Sequence, residues 1–211
     1  MLNAGRVVFA ACALLALSAG AESLEGAGRI SILPGWRYTP NDTFAASAAT
    51  AGHPLTQPSR GGLQLTGVFA YAASASIEVA IDLFAGWETL RLEAAEPVTS
   101  VTYGALAGFR FYALWDERWV PNFGLGLGPV LVYTSGGPAA RVTERVVTGY
   151  AAIAGVAYRL DPGLSLSAEA RWLLARGAVP EVGGVNGGGL WAGVGLTWWF
   201  APDPSRGRGV Q

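Results

Sequence analysis

From Gly28 to Ala201 apolar and polar side chains alternate with a period of two, and the alternation stops and restarts so that eight segments carry it. They lie at roughly 28–39, 61–72, 77–90, 99–113, 120–134, 146–160, 164–176 and 188–201. A period of two puts successive side chains on opposite faces of a strand. Most segments exceed ten residues. That is longer than the usual globular strand of about five or six residues and suits a tilted strand crossing a bilayer. Short links, Ala73–Ser76, Leu114–Trp119 and Asp161-Pro162-Gly163, alternate with longer ones, Pro40–Arg60, Arg91–Val98, Ser135–Arg145 and Gly177–Gly187. Short turns on one rim and long loops on the other are the pattern of an outer-membrane barrel.

The two faces differ in kind. In the last segment Leu190, Ala192, Val194, Leu196, Trp198 and Phe200 oppose Gly189, Trp191, Gly193, Gly195, Thr197 and Trp199. In the seventh, Leu164, Leu166, Ala168, Ala170, Trp172 and Leu174 oppose Ser165, Ser167, Glu169 and Arg171. One face of the chain is almost free of charge, with Arg176 at a strand end as its one ionic residue. The other collects Arg29, Arg37, Glu78, Asp82, Glu88, Arg110, Arg159, Glu169 and Arg171.

Alternation alone does not say which face is outside, since a soluble lipocalin-type barrel would turn its charges out. The aromatics decide. On the apolar face, Trp36, Tyr38, Trp87, Tyr103, Tyr133, Tyr150 and Trp172 fall near the long-loop rim. Phe69, Tyr71, Phe109, Phe111, Phe123, Tyr158, Trp198 and Phe200 fall near the short-turn rim. Ile, Val, Leu, Ala and Gly hold the middle. Two aromatic girdles around an aliphatic band suit a lipid-facing surface, because Trp and Tyr favour the membrane interface. A soluble core has no reason to sort aromatics by depth. The fold expected is therefore all-β: an eight-stranded antiparallel up-and-down transmembrane β-barrel.

Composition agrees with this and sets the address. Just over half of the 211 residues, 51%, are hydrophobic and only 14% are charged, below the roughly 25% usual in soluble domains. All 14 basic residues are arginine, and a net charge of −1 leaves no basic surface for nucleic acid. Met1–Arg6 reads as a positive n-region, Val7–Leu17 as an apolar h-region too short to span a bilayer, and Ala19-Gly20-Ala21 as a small-x-small cleavage site. The expected organisation is a cleaved signal peptide at 1–21, a short periplasmic segment at 22–27, the barrel at 28–201 and a polar periplasmic tail at 202–211. Cleavage removes Cys12, the single cysteine, and with it any disulfide or thiolate metal site. No metal-ligand cluster, phosphate loop or cofactor motif is present, so no cofactor is expected.

Closure follows from backbone chemistry. An open sheet edge in lipid leaves N–H and C=O groups unpaired, so the eighth strand must pair with the first. Eight strands enclose a space just wide enough for side chains. Four inward acids and five inward bases then imply an internal ion-pair network, since an unpaired buried charge is costly. Inward Gly124, Gly126, Gly128, Gly193 and Gly195 are expected to make room for Arg and Trp side chains and to allow tight coiling.

On these features the chain resembles the small eight-stranded outer-membrane barrels of Gram-negative bacteria, the group of the OmpA membrane domain, OmpX and OmpW, over about residues 28–200. The resemblance implies a bacterial outer-membrane location, with outer-membrane lipids and the barrel-assembly machinery as partners. Gly195, Trp198 and Phe200 are similar to the C-terminal signal read by that machinery, with two departures: Gly193 stands where a polar residue is usual, and the chain continues beyond Phe200. No peptidoglycan-binding domain follows, so a wall-anchoring role is not carried over.

Three functions fit such a barrel. The first is a non-enzymatic structural or surface-interaction role, with any ligand met by the extracellular loops, of which Pro40–Arg60 is the longest. The second is a small pore or a conduit for small hydrophobic molecules, as in the OmpW-like branch, motivated by Pro34 and Pro129 inside strands, where proline marks a break or a bulge. The third is a lipid-modifying enzyme built on His53, the single histidine, with Ser59 nearby but no acid to orient it.

Overall fold

The computed structural model describes residues 25–39, 52–54, 56, 61–74, 76–93, 96–112, 118–135, 143–161, 163–179 and 183–200. The proposed signal peptide, the tail beyond Phe200 and most of the first long loop, including Ser59, lie outside them.

Ten strands form. They are β1 (Gly28–Tyr38), β2 (Gly62–Ala72), β3 (Ile77–Leu90), β4 (Val98–Tyr112), β5 (Trp119–Ser135), β6 (Thr143–Asp161), β7 (Leu164–Leu174), β8 (Arg176–Val179), β9 (Gly183–Asn186) and β10 (Gly189–Phe200). Eight of them close into one antiparallel barrel in the order β1-β10-β7-β6-β5-β4-β3-β2. The remaining two, β8 and β9, pair only with each other, through Arg176↔Asn186 to Val179↔Gly183. The period-two pattern therefore places the barrel strands to within about three residues at each end, whereas the link 177–187, expected as a loop, carries a hairpin.

Closure is made by β1 on β10, from Gly28↔Phe200 to Tyr38↔Leu190. Every barrel strand thus has two neighbours, and no sheet edge remains for solvent or lipid to satisfy. The inward and outward sets are those read from the alternation: β3 alternates without a break from Ile77, exposed, to Leu90, buried.

Both in-strand prolines sit at interruptions of the ladder, and neither is a bulge. Ile32 pairs with Leu196 and Gly35 with Gly193, so the β1–β10 register is unchanged across Leu33 and Pro34, which have no partner on that side. On its other side Pro34 pairs with Leu65. In β5, likewise, Gly104↔Val130 and Ala107↔Leu127 share one register across an unpaired Gly128-Pro129, while Pro129 pairs with Thr148 of β6. A missing N–H removes ladder bonds toward one neighbour without adding a residue. The register shift falls instead near the end of β6, between Arg159 and Asp161. The Asp161–Gly163 turn is fixed by the Gly163 N–H donating to Asp161 Oδ1 at 2.7 Å, a local Asx arrangement.

The inward glycines do different jobs. A Cβ on Gly193 would lie 2.3 Å from the Trp191 indole, and one on Gly124 2.9 Å from the Arg110 side chain, so these two make room for large groups. A Cβ on Gly195 would lie 1.9 Å from the Ile32 carbonyl oxygen and one on Gly128 2.0 Å from that of Ala105, so these two permit close approach of neighbouring backbones at the proline interruptions. Gly126 meets nothing closer than 3.5 Å, so neither reason applies to it. Gly195→Ala is expected to destabilise the folded barrel by about 1–3 kcal/mol, as overpacking does, and Gly126→Ala by no more than about 0.5 kcal/mol. Urea unfolding midpoints of the two refolded variants, followed by the gel shift between unboiled and boiled protein, check the contrast.

Candidate functional site

The lumen is filled by side chains from all eight barrel strands, and its centre is ionic. Arg110 of β4 sits at the hub, with Nη2 donating to Asp82 Oδ1 at 2.8 Å and Nη1 donating to Glu169 Oε2. Its Nε lies 4.0 Å from Glu78 Oε1. Glu78 in turn takes two hydrogen bonds from Arg29, and Glu169 takes one from Arg171 Nε. Arg171 Nη1 lies 3.1 Å from Asp82 Oδ2 and closes a ring of two arginines and two acids. Arg110 is 1% exposed and Glu78 and Asp82 2% each, so these charges are held by one another rather than by water. The register explains the meeting: Glu78 is paired with Arg110 directly across β3–β4, while Glu169 reaches Arg110 across the barrel interior. That last contact requires a lumen one side chain wide, which eight strands supply.

Toward the long-loop rim, buried Arg37 has Glu88 as its opposing charge. Arg159 stands apart from the ring, half-buried near the short-turn end of β6, where its backbone N–H bonds the Arg118 carbonyl at 2.8 Å. Hydroxyls continue the polar packing along β1, β10 and β7. Ser167 and Thr197 are 2.7 Å apart, Thr197 donates to Ser31 at 2.8 Å, and Trp199 Nε1 donates to Ser165 Oγ at 2.9 Å. The Arg29 guanidinium lies over the Trp199 ring at 5.5 Å, a cation–π contact.

Two parts of the site escaped the sequence. One is an apolar half of the lumen, in which Phe84, Leu106, Val130, Val147, Ile153 and Leu173 pack together on β3 to β7. Their inward positions were implied by the period, but the expected ionic lumen drew attention only to charge. The other is the root of the β8–β9 hairpin. Gly187 is buried, a Cβ on it would lie 2.6 Å from Val132 and 3.3 Å from Val130, and its carbonyl accepts from Arg37 Nη1 at 3.4 Å. Its N–H donates to the Ala175 carbonyl at 2.8 Å. The chain between β9 and β10 thus folds into the mouth and closes the lumen at the long-loop end. The run Gly187-Gly188-Gly189, with φ of +144° at Gly189, was the available signal, because only glycine backbone enters so crowded a mouth.

No protein-family model matches the chain, and no curated protein matches its sequence. Solved structures do match in shape. OprG, an outer membrane protein from Pseudomonas aeruginosa, superposes with a TM-score of 0.55 at 13% identity, covering 84% of this chain and 97% of that one. Ail, the attachment invasion locus protein of Yersinia pestis, gives 0.53 at 16% identity, covering 83% and 99%. Neisserial surface protein A gives 0.51 at 13% identity, covering 85% and 98%.

The fold is that of the small eight-stranded outer-membrane barrels.

The outer wall of the barrel is apolar and carries the aromatic residues read as girdles. Trp36, Tyr38, Trp87, Tyr103, Tyr150 and Trp172 are exposed toward one rim, and Phe69, Tyr71, Phe109, Phe111, Phe123, Trp198 and Phe200 toward the other. Tyr133 and Tyr158 are half-buried. Tyr158 is covered by Trp119, whose ring centroid lies 4.8 Å away, and Trp119, absent from the girdles read from the sequence, belongs with them. His53 Nδ1 lies 3.3 Å from the Glu93 backbone carbonyl, tying the first long loop to the second, and Ser59 lies outside the described residues. Among the described residues no group of three or more His, Cys, Asp or Glu could hold a metal ion.

The hub position makes Arg110 the most sensitive charge. Arg110→Met leaves Glu78, Asp82 and Glu169 with fewer partners, and breaking a buried pair in this way costs about 3–5 kcal/mol. Removing both members of the outlying pair, Arg29→Met with Glu78→Leu, is expected to cost far less than the hub substitution. Equilibrium unfolding of the variants refolded into lipid vesicles measures both.

Proposed function

We propose that the chain is a bacterial outer-membrane protein, exported by a leader at residues 1–21, whose barrel is a rigid stake for its extracellular loops. Its role is structural or surface-interacting, and it is not an enzyme. The observation that carries this reading is the filled lumen: an ion-paired centre beneath a mouth closed by Gly187 on Arg37. Side chains that fill a lumen in this way obstruct a water path, so we assign recognition to the loop surface, where rigid scaffolds commonly carry it. Two compared barrels carry surface roles in their names, an attachment invasion locus protein and a surface protein. The partners proposed are outer-membrane lipids, the barrel-assembly machinery during biogenesis, and an extracellular ligand at the loops.

A second reading, a conduit for small hydrophobic molecules, draws on one observation. The β1–β10 interruption opens on the outer wall into an apolar groove of about 600 Å³, bordered by Pro34, Gly35, Ala170, Ala192, Gly193 and Val194. Directly behind it the Trp191 indole fills the space over Gly35 and Gly193, which favours a thin but closed wall. Reconstituted protein is expected to give no stepwise conductance in planar bilayers and no flux of ions or apolar solutes above that of empty vesicles. Reproducible channel steps or solute flux would remove the non-conducting reading.

Trp198 and Phe200 face outward at the end of β10, and Phe200 is paired with Gly28, the first residue of the closing strand. The same residues that we assign to the assembly signal therefore end the closing seam. Phe200→Ala is expected to lower the amount of folded, heat-modifiable barrel in the outer membrane several-fold while leaving protein export unchanged. Unaltered folded yield would separate Phe200 from assembly.

A further inference from the structure

A small closed cavity of about 10 Å³ lies between the mouth plug and the ionic ring, close to the least volume that admits one water-sized species. Arg37, Gln64, Arg171 and Trp191 supply its polar wall, and Phe84, Leu106 and Leu173 close the rest. Two donors of these lining residues, Arg171 Nη2 and Trp191 Nε1, are buried with no hydrogen-bond acceptor, and Arg171 Nη1 has only its ion-pair contact with Asp82 Oδ2 at 3.1 Å. Arg171 is 4% exposed and Trp191 1%. Leaving such groups unpaired away from water is costly, so something accepts from them. The guanidinium and the indole are also held together, with Arg171 Cζ 5.2 Å from the Trp191 ring.

We propose that this cavity binds a single monatomic anion, chloride in ordinary media, enclosed when the barrel folds. Two guanidinium groups line it and no carboxylate does, which selects against a cation. Against water, the decisive point is the balance of donors. A water molecule has two hydrogens to give, and the one unpaired side-chain acceptor among the lining residues is Gln64 Oε1. That amide can be turned over without loss: Oε1 then accepts from the Thr66 hydroxyl, now 3.3 Å from Nε2, and Nε2 joins the donors facing the cavity. Every polar side chain on the wall then presents donors, and a halide has no hydrogen to place. The Asp82 and Glu169 carboxylates lie on the ring side of Arg171 and leave its other side to the anion. The site is independent of whether the barrel conducts or binds at its loops.

Bromide in place of chloride makes the occupant visible. Crystals of the intact barrel grown in bromide are expected to give an anomalous peak between the Arg171 guanidinium and the Trp191 indole. In urea at fixed ionic strength, the unfolding constant is expected to fall about tenfold for each tenfold rise in chloride above the site's dissociation constant, and to be unaffected by gluconate. Trp191→Phe keeps the ring and removes one charge-assisted hydrogen bond, and should weaken halide binding about tenfold or more. Absence of a bromide peak in the cavity overturns the proposal whether or not that variant folds. So does a wild-type unfolding constant that is the same in chloride and gluconate, which would leave a water there.

Discussion

The structure depends on one constraint: in hydrocarbon every backbone N–H and C=O must find a partner within the sheet. Pairing of Gly28–Tyr38 with Gly189–Phe200 meets it by joining the two ends of the barrel sequence, more than 150 residues apart. Once that seam is made, strand number fixes the interior, and the interior fixes which side chains can meet. Arg110 reaches Glu169 because an eight-stranded wall brings β4 and β7 within side-chain reach across the lumen. The apolar wall and the ionic centre are thus two consequences of one closure. The outer face meets a solvent with no hydrogen bonds to offer, and the inner face must satisfy its charges from its own residues.

The same logic fills the lumen with side chains. Hydroxyls line the β1, β10 and β7 side, ion pairs join β3 and β4 to β7, and Phe84, Leu106, Val130 and Leu173 form an apolar cluster among β3, β4, β5 and β7. Buried ion pairs contribute little net stability against a well-packed apolar alternative, but a broken one is expensive. The ring is better understood as a register lock. Sliding any one strand by a single residue would turn its inward charges to lipid and leave their partners unpaired.

Much of this was legible in the sequence because both periodicity and depth are local signals. Strict alternation fixed the faces of β3 and β7, and the position of aromatics along each strand distinguished lipid outside from water outside. What the sequence did not carry are contacts across the lumen and departures from the regular ladder. Glu169 and Arg110 are 59 residues apart, and nothing local says that they meet. The hairpin β8–β9 hid in a glycine-rich link because glycine is equally the mark of a loop. Pro34 and Pro129 stand out in the sequence as breaks or bulges, the bulge being the favoured reading, and the unchanged register corrects it, because a bulge and an interruption look alike in one dimension. The missing N–H predicts the lost bond, while the register depends on whether the opposite strand can close in, which Gly195 and Gly128 permit.

The two interruptions are not placed at random around the wall. In the order β1-β10-β7-β6-β5-β4-β3-β2, the β1–β10 and β5–β4 seams are separated by four strands in either direction. They divide the barrel into two four-stranded sheets, β1 to β4 and β5, β6, β7 and β10, each opening on the strand that carries its proline. At each seam the first strand of one sheet meets the last strand of the other, and at each the ladder loses its bonds while keeping its register. Across the lumen Arg110 of one sheet is held by Glu169 of the other, and Asp82 of the first by Arg171 of the second. The ionic ring is therefore a clasp between the two halves of the barrel that the proline interruptions mark out.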